Sequence, residues 1–229
     1  MSPANTSSVN AIFTCLFTVF LFIHFMSNAQ NKQTHYLALG DSYTIGEGVA
    51  EEDRWPVMLA HLLDMSPPTI IAKTGWTTDE LQAAINKAKP DTNYDLVSLL
   101  IGVNNQYRGY DPEVYQKEFA ALLQQAISFA GNDPNHVFVV SIPDYGVTLF
   151  AAEKNPRKIS EEIDVYNTIN KKITEAVGVQ YFDITPISRK AAHDESLLAE
   201  DQLHPSGKMY RIWVESFIEE VRAMMTKNK

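Results

Sequence analysis

The stretch LALGDSYTIGEGV, Leu37–Val49, passes without a break from an apolar run into Gly-Asp-Ser, then spends two more glycines around a glutamate. Gly, Asp and Ser are ordinary turn residues, each able to bend or cap a chain. The same residues would also hold Ser42 on a tight turn at the carboxyl end of a strand, where a nucleophile meets substrate. Two things decide between these readings. The flanking chain must build a sheet that places this turn at a site, and it must supply a base, an acid and oxyanion donors.

Outward from this stretch, short apolar runs alternate with longer helical patterns. HYLALGD (35–41), TIIAKT (69–74), LVSLLIG (96–102), VFVVSIP (137–143) and VQYFDIT (179–185) read as five strands. Several are apolar at consecutive positions, the pattern of strands buried on both faces of a parallel sheet. Helices are expected over 54–65, 78–89, 112–130 and 158–177. The fourth places Ile159, Ile163, Tyr166, Ile169, Ile173 and Val177 at spacings of three and four, so one side faces the sheet. A last helix, from about Pro205 to Met225, carries Tyr210, Trp213, Val214, Phe217, Ile218 and Val221 on one stripe. Such alternation gives an α/β fold, a three-layer α/β/α sandwich around a five-stranded, mostly parallel sheet with right-handed crossovers. No repeat or Pro/Ser-rich linker follows residue 34, so residues 30–229 read as a single domain.

The first thirty residues differ from the rest. They contain no Lys, Arg, Asp or Glu, and Ala11–Met26 is a nearly unbroken apolar run of sixteen residues. That is short of the roughly 20 a membrane span needs. SNA at Ser27–Ala29 ends in the small residue of a secretory cleavage site, so residues 1–29 read as a signal peptide, with an uncleaved anchor as the alternative. The expected location is then periplasmic or secreted, with no stable membrane anchor once the leader is cut. The net charge of −9 belongs wholly to the remainder, which argues against a nucleic-acid partner. The single cysteine, Cys15, lies in the leader, so the mature chain has no disulfide and no thiol nucleophile.

Ligands bind such sheets beyond the carboxyl ends of the strands. Ser42 follows the first strand, Gly75 the second and Asn104 the third, while DQLHPS (201–206) precedes the last helix. A serine hydroxyl is a poor nucleophile until an imidazole takes its proton. That imidazole works best when a carboxylate fixes its tautomer, and Asp201 and His204 are spaced to share one face of a turn. Pro205, at the expected first helical position, would fix where His204 points. Asp41 reads as structural, tying down the turn that carries Ser42, and Glu47 as a solvated loop residue. His193 is the one rival base, with only Asp194 beside it. His193, Asp194, Asp201 and His204 lack the spacing of a metal site, so neither metal nor cofactor is expected.

These blocks resemble the SGNH or GDSL hydrolases. GDSYTIGEG is similar to the family's first block, Gly75 to its second, GVNN (102–105) to its third and DQLHPS to its Asp-x-x-His block. They occur in the family's order over Gly40–Ser206. Position 44 is Thr, so this is not the Gly-x-Ser-x-Gly elbow of the α/β-hydrolases. The resemblance implies a flavodoxin-like fold and catalysis by Ser42 as nucleophile, His204 as base and Asp201 as its orienting acid. It also implies an oxyanion hole of the Ser42 N–H, the Gly75 N–H and the Asn104 side chain. Tyr43 and Asn105 depart from the family's usual Leu and Asp.

The expected activity is a cofactor-free serine esterase working through an acyl-enzyme. Its substrate would be a lipid-like or aryl ester or a thioester, in the manner of a lysophospholipase or arylesterase. Removal of O-acetyl groups from carbohydrate is the alternative within the class. A non-catalytic glycan-binding module on the same scaffold is the alternative outside it. Trp76, Tyr107 and Tyr145, with Tyr110 and Phe150, are the candidate pocket residues, since aromatic rings suit both acyl chains and sugar faces.

Overall fold

Each of the five apolar runs forms a strand in the computed structural model, which describes residues 34–226; the expected leader lies outside the described residues. The strands are β1 (Tyr36–Gly40), β2 (Thr69–Ala72), β3 (Leu96–Leu100), β4 (Val137–Val140) and β5 (Gln180–Phe182). Every pairing is parallel, in the order β2-β1-β3-β4-β5. All residues of β1 and β3 are buried, as their continuous apolar character requires.

The helices are α1 (Ser42–Ile45), α2 (Trp55–Leu62), α3 (Thr78–Ala88), α4 (Val103–Tyr107), α5 (Pro112–Phe129), α6 (Pro156–Ala176), α7 (Thr185–Ser188) and α8 (Gly207–Thr226). The chain steps one way from β1 to β2, then the other way through β3, β4 and β5. Right-handed crossovers therefore put α2 on one face of the sheet and α3, α5 and α6 on the opposite face. α8 packs beside α2, which completes the second of two helical layers. On that side Phe217 stacks on Phe182 at 4.9 Å, and the Trp55 ring meets Phe138 and Phe217 edge-on at 6.2 and 6.3 Å. On the other side Tyr115 of α5 lies 4.5 Å from Tyr166 of α6. Such aromatic pairs add to the free energy of burying their area.

The reversal in strand order falls between β1 and β3, and a crevice opens there at the carboxyl ends of the strands. Gly40 closes its floor. A Cβ at this position would lie 2.1 Å from Thr44 Oγ1 and 2.5 Å from the Leu100 carbonyl oxygen. Only glycine lets α1 fold back so tightly over the ends of β1 and β3.

The last helix begins later than its sequence pattern suggests. It starts at Gly207, and Pro205 instead forms an antiparallel bridge with Leu198. The Ser206 hydroxyl accepts the Met209 N–H at 3.3 Å, so a side-chain cap opens the helix after Pro205 rather than at it. His204 is therefore held by the bridge, with its carbonyl accepting the Ala199 N–H at 2.8 Å and Ser206 N–H bonded to the Leu197 carbonyl at 2.8 Å.

Candidate active site

Ser42 opens α1, a single helical turn directly after β1. Asp41 caps this turn: its Oδ1 accepts the Tyr43 N–H at 3.0 Å. Gly46 ends the turn in the left-handed conformation, and Gly48 abuts Ala199 and the Asp201 carboxylate. These two glycines thus face the protein rather than a bound ligand, and they let the Ser42 turn pack against the Asp201 loop. The Asp41 carboxyl is fully buried and its Oδ2 has no hydrogen-bond partner. Burial, opposed by N–H donors including Tyr43 and Gly102, pushes it up to about 7.

That shift has a consequence for stability. Between the ordinary carboxylate range and pH 7 the native chain holds a proton on Asp41 that the unfolded chain has lost. Stability therefore falls as pH rises through this window and levels off above it. Asp41→Asn keeps the Oδ1 acceptor and removes the titration. Its stability relative to the parent, read by thermal melting, should improve from about pH 4 to about pH 7 and then level off, with ~4 kcal/mol at stake over that whole window. A difference that does not change with pH would place the titration of Asp41 elsewhere.

His204 and Asp201 come from the turn before α8. His204 Nδ1 lies 2.6 Å from Asp201 Oδ2, while Asp201 Oδ1 accepts the backbone N–H groups of Leu203 and His204 at 3.0 and 2.9 Å. Burial works against the Asp201 charge. The His204 ring and these two N–H groups outweigh it, and hold the carboxyl below its ordinary range. The Tyr43 ring meets the buried His204 imidazole edge-on at 5.6 Å, so Tyr43, at the position where the resembling family has Leu, braces the ring from the nucleophile's own turn. His193 is exposed, and its neighbour Asp194 is engaged by Lys208 at 2.8 Å.

Ser42 and His204 line one cavity of about 130 Å³ over the crevice between β1 and β3. Val103, Asn104, Tyr107, Tyr145, Phe150 and Leu203 complete its wall. Tyr145 comes from the loop after β4, where Asp144 accepts Arg189 Nε at 2.9 Å. The Tyr145 hydroxyl donates to Gln106 at 2.9 Å, and burial pushes it up to about 12, so it stays neutral. Tyr107 and Phe150 form the open rim, 51% and 37% exposed, with their rings 6.2 Å apart.

Two of the expected pocket aromatics stand apart from this lining. Trp76 packs against the core, its backbone carbonyl accepting from Asn104 Nδ2 at 2.9 Å. Tyr110 is outside as well, and its carbonyl accepts the Tyr166 hydroxyl at 2.7 Å. Val103 and Leu203 had no chemical signature to mark them, although each lies inside a recognised block. Elsewhere among the described residues, a larger apolar groove of about 420 Å³ runs along α2, near Met58, Met65, Pro67 and Pro68. It contains His61 and Glu52 but no serine or cysteine.

A nucleophile, an imidazole with its carboxylate, and an amide thus converge on one small cavity, as acyl transfer requires. The model of the GDSL-like lipase/acylhydrolase family matches residues 38–212 of the chain. No curated protein sequence matches it. Among solved structures, a lipolytic G-D-S-L protein from Veillonella parvula is 16% identical with a TM-score of 0.64, over 81% of this chain and 97% of that one. The acetyl-xylooligosaccharide esterase Axe2 from Geobacillus Stearmophilus, solved as a mutant, is 20% identical with a TM-score of 0.62, over 82% and 94% of the two chains. The esterase EstA from Pseudoalteromonas, solved with monoethylphosphonate as inhibitor, is 18% identical with a TM-score of 0.59, over 85% of this chain and all of that one. At these identities the likeness is one of fold.

Proposed function

This chain belongs to the GDSL-like lipase/acylhydrolase family and is an ester-hydrolysing enzyme; we propose that it works as a serine esterase through an acyl-enzyme, with Ser42, His204 and Asp201 as its triad. The observation that carries this reading is the 2.6 Å Asp201–His204 pair opening onto the same cavity as Ser42. In the first half-reaction Ser42 Oγ attacks the ester carbonyl while His204 Nε2 takes its proton. Asp201, bonded to Nδ1, holds the imidazole in the needed tautomer and stabilises the imidazolium. The developing oxyanion is received by the Ser42 N–H, the Gly75 N–H and the Asn104 amide. His204 then returns the proton to the departing alcohol. In the second half-reaction the same base activates water to release the acid.

For substrate we propose a lipid-like or aryl ester or a thioester whose acyl part is short. A cavity of about 130 Å³ suits a short acyl group, and the exposed Tyr107, Leu149 and Phe150 offer an apolar seat for the alcohol part. Removal of acetyl groups from carbohydrate is the second reading, favoured by the same small cavity. Rates on p-nitrophenyl esters from acetate to decanoate, beside an acetylated xylooligosaccharide, separate them. We expect kcat/KM to peak at the shortest chains and fall steeply beyond butyrate. A peak at octanoate or longer would overturn the short-acyl reading. Preference for the acetylated sugar would favour the second, and zero rates throughout would favour a binding module.

A further inference from the structure

Gly75 sits with φ at +86° in a turn that the Trp76 N–H closes on the Lys73 carbonyl at 3.2 Å. Side chains on both sides hold it. On one side Glu47 accepts the Thr74 hydroxyl, so this glutamate is a tether rather than a free solvated residue. On the other, Arg108 Nη2 donates to the Gly75 carbonyl at 2.6 Å. Arg108 is fixed in turn by Glu80, with Nη1 at 3.2 Å from Oε1 and Nη2 at 3.2 Å from Oε2. Glu80 also accepts the Thr77 N–H at 3.0 Å, as part of the capping box that opens α3. Two residues of α4 join in: Asn104 donates to the Trp76 carbonyl at 2.9 Å, and Asn105 accepts the Thr78 N–H at 3.1 Å while donating to the Thr78 hydroxyl at 2.6 Å.

We infer that Arg108 is the positioning residue of the oxyanion hole, locking the Gly75 carbonyl and with it the turn, so that the Gly75 N–H and the Asn104 amide hold one fixed geometry. The inference rests on the reading of Gly75 and Asn104 as oxyanion donors. A glycine can rotate freely about both backbone bonds. Arg108 fixes the Gly75–Trp76 peptide through its carbonyl and Glu47 fixes the Thr74 side chain, so the Thr74–Gly75 peptide that carries the N–H is held between two anchored neighbours. Oxyanion stabilisation depends on donors that need no reorganisation as charge develops, so such anchoring acts on turnover rather than on binding. The arginine fork reaches the carbonyl and both Glu80 oxygens together, which a lysine ammonium cannot do. A bland role exists as well: Arg108 and Glu80 are 41% and 38% exposed, and exposed ion pairs are worth little to stability.

The test compares Arg108→Ala, Arg108→Lys and Asn104→Ala by kcat, KM and thermal melting on p-nitrophenyl acetate, with turnover counted per folded chain by circular dichroism. Gly75→Ala is unsuitable because its left-handed φ would strain any larger residue. Asn104→Ala should lose ~100- to 1000-fold in kcat, the usual cost of one oxyanion donor. Arg108→Ala should lose ~10- to 100-fold in kcat with KM and melting temperature nearly unchanged, the scale on which residues supporting a reactive group act. Arg108→Lys should recover part of it. If Arg108→Ala keeps its turnover while Asn104→Ala loses it, Arg108 is an ordinary surface residue and the inference is overturned. A lower melting temperature with unchanged turnover per folded chain overturns it too. If Asn104→Ala itself turns over normally, the oxyanion reading fails first.

Discussion

Ser42→Ala should lose on the order of a millionfold in kcat, the cost of removing a triad nucleophile in another serine hydrolase. The loss is so large because Ser42 takes part in bond making in both half-reactions. Without its Oγ, the His204–Asp201 pair has no proton to move in the first step, and only oxyanion stabilisation and binding are left. The fold should be unaffected, since α1 is held by the Asp41 cap and by Trp55 Nε1 donating to the Tyr43 carbonyl at 3.1 Å, neither of which uses the serine hydroxyl. The parent enzyme should react once per chain with an organophosphonate ester, and mass spectrometry should find the adduct on the peptide that contains Ser42. The same spectrum of protein exported by its native host reads the amino terminus, expected at Gln30 if the leader is cut after Ala29. Labelling of another serine, or turnover retained in Ser42→Ala, would refute the assignment.

Asp201→Asn should cost about 10⁴ in kcat, as the matching change does in another triad. An amide in place of Oδ2 presents a donor to Nδ1, so the imidazole flips its tautomer and Nε2 carries a proton when it should accept one. The Leu203 and His204 N–H bonds to Oδ1 can survive the change, which keeps the turn in place. A general base must be neutral to accept the Ser42 proton, so the parent enzyme should lose activity on an acid limb and keep it on a plateau above. Because the Asp201 carboxyl is held below its ordinary range, its own protonation lies further to the acid side and cannot produce that limb. For the same reason the stability contributed by this pairing is present above the ordinary carboxylate range and is lost only as pH falls through the depressed value. His193→Ala serves as the control and should leave the profile unchanged. Loss of the acid limb in His193→Ala, with its persistence in His204→Ala, would show the base to be misassigned.

Much of this arrangement is legible in one dimension, because it depends on neighbours in sequence. Continuous apolar runs can be satisfied only by strands covered on both faces, so five of them separated by amphipathic helices leave few alternatives to a parallel α/β sandwich. The first three chemical blocks each follow a strand, which sends them to the carboxyl edge whatever the details of packing. The i, i+3 spacing of Asp201 and His204 is likewise local, and one turn suffices to bring them together.

What lay beyond the sequence depends on groups far apart in the chain. Pro205 read as a helix start, but pairing with Leu198 competes for that backbone and moves the start of α8 to Gly207. Trp76 follows Gly75 and read as a candidate pocket wall, yet it packs against the core, and Val103 and Leu203 line the cavity instead. Glu47 sits in the first block with no role assigned to it, and Arg108 lies outside every block. They meet the Thr74–Gly75 segment only because β1, β2 and β3 lie side by side and deliver the ends of three separate loops to one edge. The sequence by itself determined which elements form and which edge carries the chemistry, since hydrophobic periodicity and turn stereochemistry act over a few residues. Only the tertiary structure decided which side chains face the cavity and which hold the donors in place, since those choices rest on contacts between residues tens of positions apart.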